Sequence, residues 1–176
     1  MPENTLNNLL WQEEETETAT VEPDSQFLVF RCGEGIYGVD LLQIHEILKP
    51  LPVTRLPNVT EEVLGVINLR GNIIPVLDIL KTLRNQYTEL SNNSRIIVCS
   101  VNSKSMGLLV DSIVEVIGLK ESDIEGAELR GFSQDYLSGV GRTKDYIFLI
   151  FNLALLFKEK EESDSNDKET GGDNDK

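Results

Sequence analysis

Apolar positions in this chain come in short bursts closed by glycine, proline or asparagine, the pattern of strands and tight turns rather than of helical stripes. Gln26–Cys32 predicts a strand, Gly33-Glu34-Gly35 a hairpin turn and Ile36–Val39 the return strand. Asp40 is placed to cap one helical turn through Ile44, after which Glu46–Lys49 is extended. Pro50, Pro52 and Pro57 forbid a long helix and predict an edge strand or loop. Glu61–Leu64 predicts a helical turn. Gly65–Asp78, read GVINLRGNIIPVLD, predicts a β-ribbon with Arg70-Gly71-Asn72 as its turn and Gly71-Asn72 at positive φ. Asp78 is placed to cap a short helix, Ile79–Leu83, and Arg84–Asn93 is a polar link. Strands follow at Arg95–Val101 and Met106–Ile117 around the turn Asn102-Ser103-Lys104. A loop, Ser122–Gln134, leads to strands at Leu137–Gly141 and Tyr146–Phe151 and a closing helix, Leu153–Phe157, capped by Asn152. Short strands at this spacing indicate small barrels or sandwiches, an all-β fold.

The pattern repeats. A shift of 69 residues lays Phe27–Leu48 over Ile96–Ile117, with Val29, Gly38, Ile44 and Glu46 meeting Val98, Gly107, Ile113 and Glu115. A shift of 74 lays Gly65-Val66 over Gly139-Val140, Arg70 over Lys144, Ile73 over Ile147 and Asp78 over Asn152. Each half ends as strand, basic turn, strand and capped helix, which predicts two related lobes.

Charge changes the picture mainly at the ends. Of the formal −14, residues 1–25 contribute −7 and residues 158–176 contribute −4, leaving −3 on the middle. The acidic stretches 1–25 and 158–176 are expected to be disordered tails, because they cannot bury enough apolar surface to offset their ordering entropy. Leu6, Leu9, Leu10 and Trp11 are either a short partner-binding helix or a sticky tail. The folded part is expected at 26–157, with lobes near 26–83 and 94–157 and an exchange of terminal segments left open. No apolar run is long enough to span a membrane, and no cationic segment followed by an apolar one marks a secretory signal. The expected location is the cytoplasm, with Cys32 and Cys99 as buried reduced thiols.

Candidate chemistry thins out on inspection. Gly33-Glu34-Gly35-Ile36-Tyr37-Gly38 satisfies the dinucleotide spacing, but a helix must open inside that motif and a strand is predicted there instead. His45 is the sole histidine, so neither a metal cluster nor a nucleophile–base pair forms around it. Asp111 and Glu115 lie in a strand, where acid–base work would need a cleft. The bases of the middle are scattered, without the stripe that nucleic acid requires. No enzyme, cofactor or metal is expected. Arg70 at the ribbon's turn is either a docking contact or a cation solvating a turn.

The ribbon resembles the signature of CheW-type chemotaxis coupling proteins, G-V-x-N-L-R-G followed by x-I-V-P-V-x-D-L, matched here by Gly65 to Asp78. Further matches are Gln26–Phe30, Tyr37–Asp40 with Glu46-Ile47, Gly107–Asp111 with Glu115-Val116, and Tyr136–Gly139. The resemblance implies two five-stranded, SH3-like β-barrel lobes with a few short helices, packed on a shared apolar core. It implies a non-catalytic adaptor linking a chemoreceptor's cytoplasmic tip to the regulatory domain of a CheA-type histidine kinase, recruited to membrane receptor arrays. Carried over by position, receptor contact would involve Ile44, Glu46, Asn68 and Arg70. Kinase contact would use Val53, Arg55 and Gly65. The proline-rich loop Lys49–Pro57 and the acidic tails depart from the family pattern. Other readings are a coupling protein of a non-flagellar system such as pilus-based motility, and a small β-barrel ligand-binding module.

Overall fold

The structure is a computed structural model that describes residues 22–126 and 136–158. The tail positions 1–21 and 159–176 and the loop positions 127–135 lie outside the described residues. Among the described residues eleven strands run β1 (Ser25–Cys32), β2 (Gly35–Asp40), β3 (Ile44–Leu48), β4 (Val63–Leu69), β5 (Asn72–Asp78), β6 (Arg95–Val101), β7 (Lys104–Val110), β8 (Ser112–Leu119), β9 (Ile124–Gly126), β10 (Leu137–Arg142) and β11 (Ile147–Phe151). Helix α1 (Ile79–Arg84) follows β5, and a second helix, α2 (153–158), follows β11. Asp78 caps α1 through the Lys81 amide, and Asn152 Oδ1 accepts the Leu155 amide at the start of α2.

The strands form two sheets, one ordered β8-β1-β2-β11-β10-β9 and the other β3-β6-β7-β5-β4. Each sheet draws on both halves of the chain. The β1–β2 hairpin pairs with β8 and β11, and the β6–β7 hairpin pairs with β3 and β5. The repeat is visible in the register. Val98 faces Glu46 as Val29 faces Glu115, Val76 faces Gly107 as Ile150 faces Gly38, and Thr54 bridges Val66 as Glu125 faces Val140.

Three apolar clusters explain the unbroken hydrophobic runs. Phe27 and Val29 of β1 face a cluster with Phe148 and Ile150, while Leu28, Phe30 and Cys32 face the opposite way. There they meet Leu77, Ile97, Cys99, Leu108 and Val110 of the other sheet in one shared core. Ile96 and Val98 of β6 close the five-stranded sheet's own cluster with Ile67, Ile74 and Val76. Strands buried on both faces read as continuous apolar sequence, and the shared core gives the two lobes their common wall.

Four local expectations differ from the structure. Positive φ falls on Arg70 (52°) and Gly71 (86°), not Gly71-Asn72, because Asn72 is already paired with Leu69. The helical turn expected at Glu61–Leu64 gives way at Val63, where β4 pairs with Leu77. The expected strand Met106–Ile117 breaks at Asp111, whose carboxylate accepts the Gly33 amide at 2.6 Å. The expected loop Ser122–Gln134 holds β9, a sixth strand on its sheet. At the N-terminal boundary, Asp24 belongs to the fold: its amide donates to the Leu119 carbonyl and its carboxylate accepts the Glu121 amide.

Candidate functional site: a clasp at the ribbon turn

Glu46 projects from β3, one edge of the five-stranded sheet, and Arg70 from the hairpin whose β4 forms the other edge. Arg70 Nη1 donates to Glu46 Oε2 at 2.9 Å and Nη2 to Oε1 at 2.7 Å, a bidentate fork. The ion pair therefore ties together two edges that no backbone ladder joins. Arg70 remains 74% exposed and Glu46 27%, so the guanidinium stays open to a partner.

Behind the fork the turn is held by Asn68, whose Oδ1 accepts the Gly71 amide at 2.9 Å. Ile44 enters β3 from a 3-10 turn (Leu41–Gln43) capped by Asp40, and its half-buried side chain packs on the shared core. The structure thus joins Glu46 to Arg70 directly and puts Asn68 in the same turn. Ile44 stands two residues from Glu46 on the same strand.

Val53, Arg55 and Gly65 sit apart from the fork, on the β4 edge. Thr54 makes a two-hydrogen-bond bridge with Val66, about four residues or ~13 Å along the strand from Arg70. Val53 packs against the five-stranded sheet's own cluster, and Arg55 is exposed. Gly65 is buried with φ +139°, and a Cβ there would lie 2.1 Å from the Thr54 carbonyl oxygen. Its role is to let the Val53–Arg55 segment cross, which leaves Gly65 covered by that segment. Gly139 does the same beneath Glu125, at 2.7 Å.

The second lobe repeats the clasp with different chemistry. Glu115 on edge strand β8 accepts a hydrogen bond from the Tyr146 hydroxyl at the β10–β11 turn. Burial, then the Glu115 carboxylate, push the Tyr146 phenol up to about 12. The shared feature is a glutamate reaching a hairpin turn, and only the first lobe uses an arginine.

Exposed apolar side chains were missed from sequence. Ile73 is 64% exposed and Ile147, its repeat partner, 58%; Ile47 and its partner Val116 are exposed beside the two glutamates. Leu42, on the capped 3-10 turn, is 93% exposed. In sequence these residues look like core, and only the repeat marks the first four as a set. Among the described residues no group of His, Cys, Asp or Glu is arranged to hold a metal, and no helix is long and apolar enough to cross a membrane. Both cysteines are buried free thiols, with Cys99 pushed up to about 12 by burial and Cys32 pushed up further by burial and by Asp111.

Comparison with known proteins agrees with this architecture. The chemotaxis protein CheW of Helicobacter pylori is 28% identical over 160 residues, covering 88% of this chain and 97% of that protein. CheW of Thermotoga maritima is 32% identical over 134 residues, covering 76% and 88%. Protein FrzA of Myxococcus xanthus is 28% identical over 123 residues, covering 69% and 77%. The crystal structure of the scaffolding protein TtCheW from Thermoanaerobacter tengcongensis superposes with a TM-score of 0.68 at 34% identity, covering 73% of this chain and 88% of that one. The family model described as CheW-like domain matches residues 26–161, a span that takes in β1 to α2, and the chain belongs to that family.

Proposed function

We propose that this protein is a non-catalytic coupling scaffold of chemotaxis signalling, joining the cytoplasmic tip of a chemoreceptor to the regulatory domain of a CheA-type histidine kinase. The observation that carries it is the family match across the whole described fold, with the ribbon turn bearing an exposed, pre-aimed arginine. Receptor contact is assigned to Ile44, Glu46 and Arg70, with Asn68 in the same turn. Kinase contact is assigned to the β4 edge at Val53 and Arg55, where Gly65 seats the segment. Because the two surfaces are separate, one molecule can hold both partners, raising their effective concentration and fixing their orientation. The protein acts in the cytoplasm, recruited to receptor arrays. A second reading, the same role in a non-flagellar system, is supported by the similarity to FrzA.

The test is a pull-down with the full chain from cytosol plus solubilised membranes, followed by binding of purified partners. Recovery of a histidine kinase and a chemoreceptor is expected. Recovering neither overturns the coupling role, and which output system the recovered kinase serves separates the two readings.

A further inference from the structure

Arg70 is exposed, yet it does not behave as a free charge. A guanidinium carries five N–H donors. Glu46 takes one from each terminal nitrogen, and no other hydrogen bond to Arg70 forms among the described residues. Three donors are left without a hydrogen-bond partner among the described residues on a side chain that is 74% exposed, while the pair as a whole is neutral. A partner carboxylate would have to share the guanidinium with Glu46 and bring a second negative charge beside it. An uncharged carbonyl oxygen can share the guanidinium without bringing that second charge.

The surroundings favour the same kind of partner. Ile73, three residues past Arg70, and Ile47, next to Glu46, are both exposed, at 64% and 41%. The turn presenting the fork is fixed from within, by Asn68 Oδ1 on the Gly71 amide, with Arg70 held at φ 52°. The Asn68 oxygen is therefore engaged inside the protein.

We infer that the Arg70–Glu46 pair is a neutral hydrogen-bonding fork for an apolar protein surface carrying an uncharged carbonyl acceptor, a side-chain carboxamide or a main-chain carbonyl at a helix end. Asn68 is a positioning residue that acts through Arg70. This rests on the receptor-contact assignment above and adds the chemistry of the contact, hydrogen bonding with apolar burial in place of charge pairing.

The experiment is equilibrium binding of the full chain to a soluble cytoplasmic fragment of a chemoreceptor from the same organism. Raising salt from about 0.01 M to about 0.15 M shortens the screening length from about 30 Å to about 8 Å, and the affinity changes by less than about twofold. Arg70→Lys keeps the charge but loses the planar fork, so it binds at least about tenfold more weakly, like Arg70→Ala. Asn68→Ala weakens binding in the wild-type background and adds nothing in the Arg70→Ala background, a result that general loss of structure would not produce. A steep loss of affinity with salt, wild-type binding by Arg70→Lys, or additive losses for Asn68 and Arg70 overturns this inference and leaves the coupling role standing. Failure of the wild-type chain to bind the fragment overturns the receptor-contact assignment and this inference together.

Discussion

Arg70 donates from both terminal nitrogens to Glu46 while its own backbone sits in the left-handed region at φ 52°. That conformation costs an arginine roughly 1–2 kcal/mol that asparagine or glycine largely avoids. An exposed ion pair returns about 0–1 kcal/mol at best. The balance at this turn favours binding over stability. Arg70→Asn, which makes the Asn-Gly turn that such hairpins prefer, is expected to unfold about 0.5–1 kcal/mol later than Arg70→Ala in urea while losing receptor binding equally. A common loss of stability in both variants would show that the clasp outweighs the backbone cost.

Testing the clasp by Arg70→Glu sets two carboxylates facing each other, so repulsion and lost contact are mixed. The expected loss in receptor binding is on the order of 2 kcal/mol or more. The exchanged pair Glu46→Arg with Arg70→Glu restores the edge-to-edge tie. It should recover thermal stability, measured by circular dichroism, without recovering binding.

Gly65 and Gly139 test the repeat. A methyl group at Gly65 would sit 2.1 Å from the Thr54 carbonyl, and at Gly139 2.7 Å from that of Glu125. Both neighbours are backbone and cannot rotate away. Gly65→Ala is expected to cost more than about 3 kcal/mol in chemical denaturation, and Gly139→Ala less. A kinase-binding defect in Gly65→Ala would then be traced to the displaced Val53–Arg55 segment.

Asp78 is 1% exposed and its carboxylate accepts three hydrogen bonds, from the Lys81 amide, the Thr88 amide and the Thr88 hydroxyl. It caps α1 and fastens the link between the halves in one stroke. Asp78→Ala strands the buried Thr88 donors and is expected to cost about 2–4 kcal/mol, with early loss of amide-exchange protection at Thr88. Unchanged protection would show that the link is held by other contacts.

Tyr146 supplies the pH signature. Its phenol lies at about 12 against an ordinary 10.0, raised first by burial and then by the Glu115 carboxylate. The fold favours the neutral form, so this contribution to stability is complete below the ordinary tyrosine range and is lost as pH rises through the folded value. Burial also pushes the Tyr37 phenol up, so ultraviolet titration should find both Tyr37 and Tyr146 ionising late, with only the Tyr146 step moving earlier in Glu115→Gln. No change in that variant would remove Glu115 as a cause.

Much of the local structure was legible from sequence. The apolar bursts, the Asp78 and Asn152 caps and the repeat at shifts of 69 and 74 all reappear, because strand burial and helix capping depend on neighbours a few residues apart. The ribbon turn came out one residue off, since a glycine-asparagine pair advertises positive φ wherever it stands, while strand register decided that Arg70 takes it.

What the sequence by itself determined is an all-β, twofold-repeated domain with its distinctive turn at Asn68–Gly71. Only the tertiary structure decided which hairpin joins which sheet, since an apolar pattern specifies that a face is buried and not against what. The same holds for the residues at the site. Glu46 and Arg70 lie 24 positions apart, and Thr54 crosses Gly65 from within the proline-rich loop. Those meetings exist because two sheet edges are brought together around packed cores, a consequence of the whole chain's burial rather than of any one segment.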